Sequence, residues 1–148
     1  MKGKINFETN SYYDFRELSK VKNWIESVIK YYGFNYSEIN YSFYDDEGLL
    51  EINKTYLNHD FYTDIITFDN TINKTISADI AISLDRVKEN ASTRNTFENE
   101  LLRVLVHGVL HCMGFNDKTE EEQRLMRIEE DKMLNMFHVE HFKTEDNV

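Results

Sequence analysis

The run Leu101-Leu102-Arg103-Val104-Leu105-Val106 is apolar except for one arginine, and it leads directly into His107-Gly108-Val109-Leu110-His111-Cys112-Met113-Gly114. Such a run reads as a buried helix, and the rest of the chain has to be arranged around it. Positions four apart on a helix stand one turn above each other, so His107 and His111 share a face. Gly114 falls where the helix must stop and suits a left-handed cap. Asp117 lies far enough past that bend to swing its carboxylate back toward the two rings. Two nitrogens and one oxygen, with a position open to water, is how a catalytic zinc is usually held. His107, His111 and Asp117 are therefore the candidate metal ligands. Two hydrogen-bonded core histidines would show the same spacing. The glycine and the aspartate at their offsets favour the metal. Cys112 points away from His111 around the helix and reads as packing rather than as a ligand.

The offsets from His107 to His111, Gly114 and Asp117 also match the extended zinc-protease signature, with Asp for its third His. Those proteases carry a glutamate general base directly after the first His, and this chain has Gly108 there. Amide hydrolysis needs a protonated leaving amine as well as an attacking water. That one position disfavours a metalloprotease.

Nothing marks a domain boundary: there is no repeat, no proline and no Gly/Ser-rich linker in the 148 residues, a length that suits one domain with a real core. Residues 4–8 alternate like a short strand, and a helix is expected over about 13–32 with Phe15, Leu18, Val21, Ile25, Val28 and Ile29 as its apolar stripe and Trp24 on the flank. Residues 39–44 read as an aromatic strand. Asp45, Asp46 and Glu47 then open a helix through Leu49, Leu50, Ile52 and Tyr56, where acids favour the N-terminal dipole. Residues 64–69 and 77–83 read as strands joined by a polar turn, followed by a helix over 84–91. Asn95 with Glu98 predicts a capping-box start for the histidine helix, and Thr119 with Glu122 a second one for the last helix. That helix carries Leu125, Met126, Ile128, Met133 and Leu134. The tail from Phe137 is polar and is expected to fray; His138 and His141 within it read as an incidental pair. Strands alternating unevenly with helices predict one compact α+β domain with a small mixed sheet packed against helices.

No stretch is long and apolar enough for a transmembrane helix, and the N-terminus has no signal-peptide pattern. With a single cysteine, no internal disulfide is possible. These features predict a cytoplasmic protein in a reducing compartment. A formal net charge of −10 argues against indiscriminate nucleic-acid binding, which needs lysine and arginine; any RNA activity must come from a local patch or from the metal.

The histidine motif of residues 107–117 resembles the signature of the YbeY family, bacterial metal-dependent endoribonucleases tied to ribosomal RNA maturation, whose usual form is His-Gly-x-Leu-His-x-x-Gly-Tyr-Asp-His. Two further blocks support the resemblance. Asn53, Tyr56, Asp60 and Thr63-Asp64-Ile65-Ile66-Thr67-Phe68 are similar to a family segment of Asn, aromatic, Asp and Thr-Asp-Val-Leu-Ser-Phe. Ala78-Asp79-Ile80-Ala81-Ile82-Ser83 resembles its Gly-Asp-Ile-x-Ile-Ser strand. The resemblance covers about two thirds of the chain.

It implies one zinc ion per chain on His107, His111 and the third-position residue. It further implies single-strand-specific endoribonuclease activity in maturing the 3′ end of small-subunit ribosomal RNA and in ribosome quality control. The partners would be ribosomal RNA, the small ribosomal subunit and ribosome-associated proteins, with no membrane and no DNA. The third ligand is usually His and here is Asp117, which adds negative charge and should weaken the metal as a Lewis acid. Leu57 stands where many members have Arg, and His59 or Lys54 would have to take over its phosphate contact. No side chain stands out as general base. That role falls to water on the metal, with Asp64 and Asp79 as candidates for orienting the site. The alternative is a non-catalytic ribosome-assembly factor with a structural metal.

Overall fold

The computed structural model describes residues 3–8, 15, 17–91 and 96–146, with 140–146 as backbone only. Four strands form one sheet: β1 (Lys4–Phe7), β2 (Asn35–Tyr44), β3 (Ile65–Asp69) and β4 (Thr75–Ser83), in the order β1-β2-β4-β3. β1 runs parallel to β2 and β2 parallel to β4, while β3 is antiparallel to β4. The fold is thus α+β with a mixed sheet, as the uneven alternation of strands and helices predicts.

Period-two alternation sorts the strand side chains between two faces. Ile5, Phe7, Ile39, Tyr41, Phe43, Ile76, Ala78, Ile80 and Ile82 point into the main core. That face is covered by α1 (Leu18–Tyr31), α3 (Leu84–Ala91), α4 (Phe97–Cys112) and α5 (Glu120–Asp146). On the other face α2 (Asp46–Leu57) packs Leu49 against Ile66 and Ala81. The central helix α4 is buried at Leu101, Leu102, Val104, Leu105, Val106, Val109 and Leu110 and touches α1, α3, α5, β3 and β4. Burial on nearly every side is what its all-round apolar sequence requires. Two buried polar ties fix its surroundings: Tyr41 Oη donates to the Leu105 carbonyl at 2.8 Å, and Trp24 Nε1 to the Met133 carbonyl at 2.8 Å.

Several boundaries differ from expectation. α1 begins at Leu18, with Glu17 at its N-cap. Phe15 lies outside it and packs edge-on against Phe7, ring centroids 5.0 Å apart, on the edge of the main core. Residues 13, 14 and 16 lie outside the described set. α4 is capped by Thr96, whose hydroxyl accepts from the Asn99 amide at 3.1 Å; Asn95 also lies outside the described set. In α5, Leu125 and Ile128 are exposed, and the buried stripe is Met126, Glu130, Met133 and Leu134. α5 remains helical through Asp146 where a frayed tail is expected, and Phe137 packs edge-on against Trp24 at 5.3 Å. His138 bonds Asn99 across the surface at 2.8 Å.

Candidate functional site

α4 ends in a Schellman motif. Gly114, at φ 102°, donates to the His111 carbonyl, and the Phe115 amide donates to the Leu110 carbonyl, each at 3.1 Å. This bend returns the chain along the histidine face and brings Asp117 Oδ2 to 3.2 Å from His107 Nε2. Each imidazole has its other nitrogen occupied. His107 Nδ1 lies 2.7 Å from Glu130 Oε2, and His111 Nδ1 lies 2.9 Å from the Phe115 carbonyl oxygen. Carbonyl and carboxylate oxygens only accept, so both rings donate from Nδ1; a ring that then gives up its second proton has the Nε2 lone pair for a ligand.

By chemistry the donors suit zinc, and two of the three stand at a separation that suits it. Tetrahedral ligands at 2.0–2.1 Å stand about 3.3 Å apart, close to the separation of His107 Nε2 and Asp117 Oδ2. The third donor needs adjustment. The His107 and His111 rings are nearly parallel, 7° between planes with centroids 6.4 Å apart. Among the described residues no three His, Cys, Asp or Glu side chains are gathered tightly enough to enclose an ion as they stand. A shared ion would require the three side chains to draw closer together. Cys112 is buried, and burial pushes its thiol up to about 12, which suits packing rather than ligation.

His107 and Asp117 line a cleft of about 640 Å³ with Thr63, Asp64, Asn90, Glu100, Arg103, Arg127 and Glu130. Burial raises the Asp64 carboxyl above its ordinary value, partly offset by the His107 ring. Burial would lower His107, but the Glu130 hydrogen bond and the nearby charges of Glu130, Asp117 and Asp64 outweigh it and raise it. Glu100 is also raised by burial, against the opposing charges of Arg103 and Arg127.

Of the residues singled out in the sequence, the cleft gathers His107, Asp117 and Asp64, with His111 one turn along α4. Asp79 is not among them. Its side chain lies on the opposite face of the sheet, where Oδ1 accepts from the Asn40 amide at 3.0 Å. Strand alternation explains this, because Ile80 faces α4 and its neighbour must face away. Leu57 is exposed at the end of α2. Lys54 pairs with Asp60 at 3.6 Å, and His59 stacks on Phe61 at 5.1 Å. The cations that do line the cleft, Arg103 and Arg127, were not marked by the sequence motif. Glu130 was missed too, although a glutamate on the apolar stripe of α5 and an arginine inside the apolar run of α4 are each conspicuous once paired.

The arrangement defines a class: an α+β domain carrying a helix-borne histidine pair, a carboxylate beyond a glycine bend and a polar cleft beside them. Residues 4–138 match the family model described as endoribonuclease YbeY, and the chain belongs to that family. Two relatives named endoribonuclease YbeY match over nearly their whole length. That of Christiangramia forsetii is 49% identical over 140 residues, covering 94% of this chain and 98% of the relative. That of Flavobacterium psychrophilum is 47% identical over 136 residues, covering 91% and 97%. A solution structure of a Thermotoga maritima protein shares the fold, with a TM-score of 0.68 at 24% identity over 100% of this chain and 96% of that one.

Proposed function

We propose that this chain is a zinc-dependent endoribonuclease that cuts single-stranded RNA, acting in the cytoplasm on the 3′ end of small-subunit ribosomal RNA and in ribosome quality control. His107, His111 and Asp117 would hold the ion. The observation that carries the reading is the 3.2 Å approach of Asp117 Oδ2 to the His107 nitrogen left open for a ligand. Family membership supplies the substrate class. When bound, the ion supplies positive charge at the phosphoryl oxygens.

The protein's own residues have a short list of tasks. RNA carries its own nucleophile: the 2′-oxygen attacks the adjacent phosphorus, the bond to the 5′-oxygen breaks, and a proton must leave one oxygen and reach the other. Asp64 is the side chain we assign to carry that proton. It sits in the same cleft, and its raised pKa brings it nearer the pH at which it must exchange a proton. Arg127, exposed at the cleft, is assigned to an RNA phosphate. Because the nucleophile is in the substrate, no glutamate after His107 is needed.

The test uses zinc-loaded protein with a single-stranded RNA, the same sequence as a duplex, and casein. Cleavage of the single strand that EDTA stops and zinc restores, with duplex and casein intact, is the expected result. Casein cleavage, or RNA cleavage indifferent to EDTA, would overturn the reading. The net charge of −10 favours a second reading, an assembly factor with a structural metal. His111→Ala separates the two. It should abolish cleavage while unfolding stays cooperative, whereas loss of the fold along with the metal would support the structural role.

A further inference from the structure

We infer that Glu130 is a positioning residue for His107: held by Arg103, its carboxylate fixes the imidazole as the Nδ1–H tautomer and aims Nε2 at Asp117. The inference rests on the metal reading of His107. Glu130 projects from α5 into the space beside α4, and its side chain is 6% exposed. One oxygen, Oε1, accepts from Arg103 Nη1 at 3.0 Å; the other, Oε2, accepts from His107 Nδ1 at 2.7 Å. Arg103 and His107 are four residues apart on α4, so one carboxylate spans one turn and meets both side chains.

Charge balance alone does not account for this placement. Arg103 Nη2 already has Asp131 Oδ1 at 2.7 Å, and Glu100 lies 3.9 Å from Nε. A carboxylate serving only the guanidinium could present both oxygens to it in the bidentate manner arginine favours. Glu130 gives up that pairing and spends its second oxygen on the histidine. The consequence falls on the ring's far side. With the proton fixed on Nδ1, the lone pair is on Nε2, which faces Asp117 Oδ2 at 3.2 Å. Such outer carboxylates orient ligating histidines and raise their basicity.

The chemistry requires Glu rather than Gln. A glutamine has one acceptor and one donor end, while Arg103 and His107 Nδ1–H both need an acceptor. The charged Arg103 should claim the amide oxygen. The amide NH₂ would then face His107 Nδ1, which can accept only by moving its proton to Nε2, and that closes the nitrogen meant for the ion.

The experiment reads the tautomer and the metal separately. In metal-free wild-type protein, at a pH where the ring is neutral, ¹⁵N NMR of His107 should show a protonated Nδ1 and a bare Nε2. Glu130→Gln should exchange the two and lower zinc affinity roughly ten- to a hundredfold in competition with a chromophoric chelator. Glu130→Asp keeps two acceptor oxygens and should retain the wild-type tautomer. A wild-type ring protonated on Nε2 overturns the inference, as does a folded Glu130→Gln protein with unchanged tautomer and zinc affinity. Should Glu130→Gln not fold, the wild-type and Glu130→Asp tautomers still decide it. Wild-type protein that takes up no zinc would sink the metal reading alone, leaving the tautomer to decide the role of Glu130.

Discussion

Gly108 sits where the zinc proteases keep their general base, and the packing explains why no larger residue is there. A Cβ at this position would lie 3.0 Å from Ile80 Cδ1 and 3.2 Å from Ile65 Cδ1, in the contact between α4 and the sheet. A glutamate would be driven into apolar side chains rather than toward the histidine face. Gly108→Glu should therefore create no protease and should lower stability by more than about 3 kcal/mol, from overpacking plus an unpaired buried carboxylate; denaturant unfolding measures it. Asp117 makes the complementary case. Asp117→Ala removes one donor and should weaken zinc binding at least tenfold, while Asp117→His should preserve or tighten it, since imidazole is as good a zinc ligand. Equal zinc affinity in the alanine variant would remove Asp117 from the site. Local spacing on one helix and one turn made these residues legible in the sequence. Asp79 shows the limit: its motif was visible, but which face it occupies depends on strand register against α4.

Among the elements, the strands and the middle helices were readable because their burial follows the local period, two for a strand and 3.6 for a helix. α5 was less legible. Its apolar residues at 125 and 128 suggested a wider stripe, yet the buried line passes through Glu130, and the arginine and histidine supplied by α4 make a buried glutamate there tolerable. A similar tie holds α2 to the end of β4 and the start of α3. Asp46, in the first turn of α2, accepts from Ser83 Oγ at 2.8 Å and from Arg86 Nη2 at 2.8 Å. Burial pushes its carboxyl up, but the hydrogen bonds from Arg86 and Ser83 outweigh that and lower it below the ordinary 3.8. A carboxyl lowered in the folded state contributes stability that is complete above its unfolded value and is lost as the pH falls through its folded value. Asp46→Asn should cost about 1 kcal/mol at pH 7, a modest figure for a partly exposed pair. The difference from wild type should shrink as the pH falls below 3.8. Thermal unfolding of both proteins across pH 2–7 tests it; a constant difference would show that the charge of Asp46 contributes nothing.

At the scale of the whole molecule, charge is the property that a ribonuclease reading must accommodate. A net charge of −10 repels RNA at long range, so affinity has to come from a few short-range contacts beside the histidines rather than from a broad basic surface. Arg103 is committed to Glu130 and Asp131, which leaves the exposed Arg127 as the cleft arginine best placed to meet a phosphate. Each phosphate neutralised on a single strand adds about 0.7 to the slope of log affinity against log salt. The binding of single-stranded RNA should therefore show a shallow dependence, with a slope of magnitude below about 3. Arg127→Ala should reduce that slope by nearly one contact and raise KM several-fold, while kcat changes less, because a phosphate contact made equally in the bound substrate and the transition state is uniform binding. Titrations of labelled RNA at several salt concentrations, paired with steady-state cleavage, separate the two effects. A steep slope unaffected by Arg127→Ala would place the RNA on some other surface, and the cleft beside His107 would lose its claim to the substrate.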